Sequence, residues 1–174
     1  NDLNEAGGYL LLKNKHFALA ADLGPSPERN YSKDYQSGAL SFEFISNKNK
    51  IITNSGYFQN PKHQLNLISK FTASQTTLGV GSSSSVNFLK SSDGNNVINN
   101  SLKIFDKNVT SNKNLWSFQA SHDGYVKRYG IIHKRKVEFN HTNLKLSGTD
   151  KIIKKKNFKS TNFEIRFHLI PSAR

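Results

Sequence analysis

Gly38-Ala39-Leu40-Ser41-Phe42-Glu43-Phe44 leads, across a polar turn, into Ile51-Ile52-Thr53-Asn54-Ser55-Gly56. Leu40, Phe42 and Phe44 are apolar and alternate with polar Ser41 and Glu43. Successive strand side chains point to opposite faces, so a period of two sets one face on a core and the other in solvent. Asn47-Lys48-Asn49 supplies the turn, and Asn54-Ser55-Gly56 closes the β-branched run that follows. The unit reads as a β-hairpin.

The same pattern extends outward. Tyr9–Leu12 and His16–Asp22 read as two strands around Lys13-Asn14-Lys15, and Gly24-Pro25-Ser26-Pro27 stops the second because proline has no N–H for a ladder. Residues 57–71 fit either an irregular loop or one helical turn, and residues 71–80 are rich in β-formers. Trp116 and Phe118 alternate with Ser117 and Gln119. In His133–Phe139, inward Val137 and Phe139 bring Arg135 and His133 onto the same face. Leu144 and Leu146 read as a short strand, Lys151–Lys159 as a basic loop or hairpin tip. Phe163, Ile165, Phe167 and Leu169, alternating with Glu164, Arg166 and His168, give the cleanest strand pattern in the chain. About ten or more short strands separated by turns, without long helices, predict an all-β, antiparallel β-sandwich, one domain over residues 1–174.

The 174 residues are enough to bury a core without staples, and 12 Phe and 6 Tyr suit a half-buried sheet. The absence of cysteine excludes disulfides, thiolate catalysis and cysteine-based zinc sites. No apolar run is long enough to span a bilayer, so no membrane partner is expected. The opening Asn1-Asp2-Leu3-Asn4-Glu5 does not resemble a signal peptide and reads as a cut inside a longer protein. The net charge of +13 attracts polyanions, although lysines spread over many strands also serve simply to solvate them. A nucleic-acid partner would rest on charge alone.

Six stretches carry a family resemblance. They are Ala20-Ala21-Asp22-Leu23-Gly24-Pro25, Ala39–Phe44, Ile52-Thr53-Asn54-Ser55-Gly56, Ala120-Ser121-His122-Asp123-Gly124-Tyr125, His133-Lys134-Arg135 and Phe167-His168-Leu169-Ile170-Pro171. In this order they resemble the C-terminal β-sandwich domain of the heparinase II/III-like polysaccharide lyases. The resemblance implies a parent chain with an N-terminal helical toroid, β-elimination on uronic-acid-containing polysaccharide, and a bacterial, periplasmic setting. It also implies that most catalytic groups lie in the toroid, so no catalytic residue is assigned here and the chain alone is expected to be inactive. The expected partners are an acidic polysaccharide and that toroid. The alternative is a non-catalytic acidic-glycan-binding or assembly module.

Departures from the family pattern define the candidate site. Family members resembling this chain carry a His-x-His pair before the Leu-Ser-Phe strand, an Asp before the small-residue-Gly turn and a His in the Thr-rich strand; the second His, the Asp and the last His hold a zinc. The corresponding positions here are Asp34 and Gln36, then Asn54, then Gln75. Neutral amides are poor zinc ligands beside imidazole and carboxylate but hydrogen-bond one another well. The expectation is therefore no metal and no cofactor, an amide network in the metal's place, and Asp34, Gln36, Asn54, Gln75 and His122 at the edge of a substrate cleft. His122, before Asp123-Gly124, reads as a turn residue, structural or at the site edge. Arg135 reads as an inward ion-pair partner of Glu43 or Asp123. Trp116, Tyr57, Tyr125 and Tyr129 fit a core better than a sugar platform.

Overall fold

The computed structural model describes residues 3–171. In chain order these form β1 (Leu3–Ala6), β2 (Tyr9–Lys13), β3 (Phe17–Asp22), β4 (Phe42–Ser46), β5 (Asn49–Thr53), α1 (Gln64–Lys70), β6 (Leu78–Val80), β7 (Phe88–Lys90) and β8 (Asn96–Ile98). There follow β9 (Ile104–Ser111), β10 (Leu115–His122), α2 (Val126–Tyr129), β11 (Ile131–Asn140), β12 (Lys145–Lys154), β13 (Phe163–Ile165) and β14 (His168–Leu169). One sheet has the order β1-β2-β3-β4-β5-β14 and a second β12-β11-β10-β9; β13-β6 and β7-β8 are two-stranded additions. All pairings are antiparallel, and the architecture is an all-β sandwich.

The main core lies between the two large sheets. Leu10, Leu12, Leu19, Phe42, Phe44 and Ile52 from the first meet Trp116, Phe118, Val137 and Phe139 from the second. Phe139 sits 4.8 Å from Phe17 and 4.9 Å from Phe44 between ring centroids, within the range where tilted aromatic pairs attract.

The β4–β5 hairpin forms as its sequence indicates. Ser46 faces Asn49 across a two-residue loop in which Asn47 and Lys48 both have positive φ, the geometry whose twist matches the strands. Its start differs from the expected alternation. Leu40 is left-handed at φ 61°, so Gly38–Leu40 turns and the strand begins at Phe42. Leu40 still fills the core, and Ser41 is buried rather than solvated.

Three further segments correct the sequence reading. Residues 163–169 are not one strand: β13 pairs with β6 and β14 with β5, two different sheets, and Phe163, Ile165, Phe167 and Leu169 are all exposed. Residues 151–154 are not a loop or tip but the end of β12, which runs in register with the whole of β11, and Leu144 is the turn residue before it at φ 54°. Residues 64–70 form α1, whose amphipathicity is inverted: Asn66, Ser69 and Lys70 are buried while Leu65 (43 %) and Ile68 (47 %) are exposed.

Candidate functional site

Four of the five expected site residues gather around α1. Gln75 Nε2 donates to Gln36 Oε1 at 3.4 Å and to the Ser69 carbonyl at 3.1 Å. Asn54 Oδ1 accepts the Thr76 N–H at 2.7 Å, and its Nδ2 donates to Ser41 Oγ at 3.5 Å. The hairpin supplies Asn54, and Glu43 on β4 fixes its backbone by accepting the Asn54 N–H at 3.0 Å. Asp34 accepts from the Tyr57 hydroxyl at 3.1 Å, and that hydroxyl in turn accepts from Asn66 Nδ2 at 3.0 Å. Gln36 and Gln75 thus touch each other, whereas Asn54 and Asp34 are joined to the group through backbone and through α1.

These side chains do not fit a zinc ion. Two amide N–H groups are turned into the space between Gln36, Ser41, Asn54 and Gln75, and an N–H cannot ligate a cation. Asn54 Oδ1 is already committed to a backbone N–H. Zinc-supplemented protein is expected to carry well below stoichiometric metal by elemental analysis. The combined change Gln36→His, Asn54→Asp and Gln75→His should raise it toward one per chain; stoichiometric zinc in the unaltered chain would refute the misfit.

Two ionisable groups, half-buried Asp22 and buried Lys70, border this cluster without having been assigned a role from sequence. A Cβ added at Gly38 would lie 3.0 Å from Ser41 Oγ, 3.3 Å from Gln75 Oε1 and 3.6 Å from Asp22 Oδ2, so three side-chain oxygens face the bare Cα of this glycine. Burial pushes the Asp22 carboxyl up to about 7, partly offset by the Gly24 N–H it accepts. Lys70, on the inner side of α1, donates to the carbonyls of Lys33 and of Asn96, the latter at 2.8 Å. Burial lowers its pKa, with Asp34 acting in the opposite direction.

His122 lies elsewhere. It is the last residue of β10 and is fully buried, not an exposed turn residue. Its Nδ1 accepts the Gly124 N–H at 3.2 Å, so its proton sits on Nε2, which faces His133 Nδ1 at 3.1 Å. His133 Nδ1 must then be the acceptor, leaving its Nε2–H to donate to Asp150 Oδ1 at 2.6 Å. Asp150 also takes Arg135 Nε at 2.7 Å and an Arg135 Nη at 3.1 Å, while the other Nη donates to the carbonyls of Leu40 and Thr76. Both tautomers are fixed by a chain that starts at a backbone N–H and ends on a carboxylate.

Desolvation holds His122 well below the usual imidazole value, with the charges of His133 and Arg135 adding to it. Desolvation also lowers His133, against the hydrogen bond it donates to Asp150, which raises it. For Asp150, burial acts upward but the bonds from His133 and Arg135 win and bring the carboxyl to about 2.

Arg135 therefore pairs with neither Glu43 nor Asp123. Glu43 is taken by Thr53, Asn54 and, at 3.6 Å, Lys50, and Asp123 by the Lys103 N–H. Asp150 stands directly opposite Arg135 on β12 and escaped the sequence reading because that strand was cut short at Leu146. The signal was present: Leu146, Gly148, Asp150 and Ile152 alternate with Ser147, Thr149, Lys151 and Ile153. Trp116 and Tyr125 are core residues, and Tyr125 donates to the Leu78 carbonyl at 3.0 Å.

Comparison with known proteins places this geometry. The family model described as Heparinase II/III-like, C-terminal, matches residues 3–174. A crystal structure of a mutant of the heparan sulfate lyase HepC from Pedobacter heparinus superposes with TM-score 0.66 at 18% identity, covering 95% of this chain and 23% of that one. A second structure of HepC from the same organism gives TM-score 0.57 at 18% identity, over 84% of this chain and 21% of that one. The chain thus spans about a quarter or less of the length of the lyases whose fold it shares. No curated protein sequence matches it.

Proposed function

Because this chain belongs to the heparinase II/III-like C-terminal family, we propose that it is the sandwich domain of a polysaccharide lyase acting by β-elimination on uronic-acid-containing polysaccharide. The observation that carries this reading is the family match across residues 3–174. β-Elimination needs a base for the proton beside the sugar carboxylate, a positive or hydrogen-bonding partner for that carboxylate, and an acid for the leaving oxygen. In this reading Asp34, Gln36, Asn54 and Gln75 wall one side of the cleft, and His122 supports it from within through the chain to Arg135, which braces the Leu40 and Thr76 carbonyls beside Asn54 and Gln75. The base and acid are supplied by an N-terminal toroid. The outward apolar face of α1, with Phe58 beside it, is the surface on which that toroid rests.

The amides at Gln36, Asn54 and Gln75 favour a second reading, a non-catalytic module that binds acidic glycan on the retained scaffold. Ultraviolet detection of unsaturated uronate separates the two. The chain and a longer protein carrying it are each incubated with a panel of acidic polysaccharides. Product from the longer protein alone is expected, and Leu65→Asp with Ile68→Asp in that protein should reduce it. No product from either would remove the lyase reading and leave the binding module.

A further inference from the structure

A groove of about 1160 Å³ shares no lining residue with Asp34, Gln36, Asn54, Gln75 or His122. It lies among the serine run Ser82–Ser84, β7, α2 and β13, outside the two-sheet core. Pockets that enclose a drug-sized ligand hold about 300–1,000 Å³, so this groove is large enough to take an oligosaccharide-sized ligand.

Its lining has the chemistry of a site for an anionic saccharide. Phe163, 57 % exposed, lines the groove together with Tyr129 and Phe88. Such rings pack against the C–H face of a pyranose while their surroundings hydrogen-bond its hydroxyls. Arg166 is held by Glu164 at 2.6 Å and brings a polarised but neutralised pair. Arg128 differs: it is exposed, lies 5.5 Å over the Tyr129 ring, and makes no ion pair among the described residues. A guanidinium already oriented on an aromatic face keeps its N–H fork free for a carboxylate or sulfate.

The groove is built rather than incidental. Gly81 has φ +56°, and a Cβ there would meet the Tyr129 hydroxyl at 2.6 Å, so glycine lets the serine loop close down on that ring. Ser83 Oγ and the Tyr129 hydroxyl then bond at 2.9 Å and pin the loop to α2. Gly130, left-handed at φ 66°, ends α2 immediately after Tyr129 and fixes where Arg128 projects.

We propose that this groove binds an acidic oligosaccharide, with Arg128 on a carboxylate or sulfate and Phe163 under a sugar ring. The assignment rests on the acidic-glycan reading above and adds a second place on the domain where such a chain is held.

Isothermal titration of the 174-residue chain with a heparan sulfate tetrasaccharide tests it, beside a neutral tetrasaccharide and inorganic tripolyphosphate. Arg128→Gln and Phe163→Ala alter exposed side chains, and unchanged thermal unfolding verifies that both variants keep the fold. Each is expected to weaken the acidic tetrasaccharide about tenfold or more, while the neutral sugar binds the unaltered chain weakly throughout. Equal binding by the unaltered chain and both variants overturns the groove and leaves the acidic-glycan reading intact. An effect of Arg128→Gln alone, matched on tripolyphosphate, reduces the site to bare charge and also overturns it. No binding of the acidic tetrasaccharide by the unaltered chain overturns the groove, and the uronate assay on the longer protein then decides the lyase reading separately.

Discussion

Arg135→Leu is expected to destabilise the domain by about 3–5 kcal/mol, a large part of the roughly 5–15 kcal/mol that holds a typical domain folded. The leucine fills the space but strands Asp150, which is nearly enclosed and keeps only the His133 N–H. It also leaves the Leu40 and Thr76 carbonyls without their donor, and an unsatisfied buried acceptor costs about 1–3 kcal/mol by itself. Urea unfolding measures the loss as a shift in midpoint at constant slope. Adding Asp150→Asn should recover part of it, because a neutral amide oxygen still accepts from His133 Nε2 and no buried charge remains. An unchanged midpoint for Arg135→Leu would mean that neither the ion pair between β11 and β12 nor the bonds to the Leu40 and Thr76 carbonyls stabilise the fold.

The second large effect is acid lability, and its size depends on three groups with two signs. His122 and His133 are held neutral in the fold, facing each other, Arg135, Asp150 and the Tyr125 ring. With folded values depressed, their contribution is complete above the unfolded imidazole value near 6.5 and is lost as pH falls below it. Asp22 runs the other way. Its folded value of about 7 lies above the ordinary 3.8, so its contribution is complete below 3.8 and is lost as pH rises toward 7. Between about pH 4 and 6.5 the unfolded chain thus takes up two protons on the histidines while the folded chain retains one on Asp22.

Stability should therefore fall as pH drops through that window, with Asp22 opposing the two histidines. Asp22→Asn removes the compensating carboxyl and should make the fall steeper. Asp150 enters only at lower pH, its contribution being lost from about 3.8 down to about 2. Urea midpoints at several pH values for both proteins provide the check. A flat profile from about 6.5 to 5 in the Asp22→Asn protein would show that the buried histidines are not kept neutral, and identical slopes with and without Asp22 would show that its carboxyl is not raised.

The sandwich was legible where a strand alternates between one core and solvent, as in the β4–β5 hairpin and β11. The pattern misleads at residues 163–169, because apolar residues recur with the same period when a segment is laid along the outside of a sandwich and split between two sheets. It is silent on α1, where the polar face turns inward to bond the loops around Lys70 and Asn66. The inward direction of Arg135 followed from alternation alone, but its partner did not. Choosing Asp150 over Glu43 or Asp123 needs the register of two ten-residue strands, and register is a property of the assembled sheet. The grouping around α1 was reached through resemblance, since no spacing within the sequence links Asp34 to Gln75.

β12 ends the four-stranded sheet, so one rim of its backbone has no strand beside it in that sheet. Bare rims recruit other chains, and lysines along them are a common deterrent. Lys145, Lys151 and Lys154 stand on this strand, with Lys155 and Lys156 just beyond its end. Part of the chain's positive charge thereby keeps copies of the domain from zipping edge to edge, a role that continues whether or not any glycan is present.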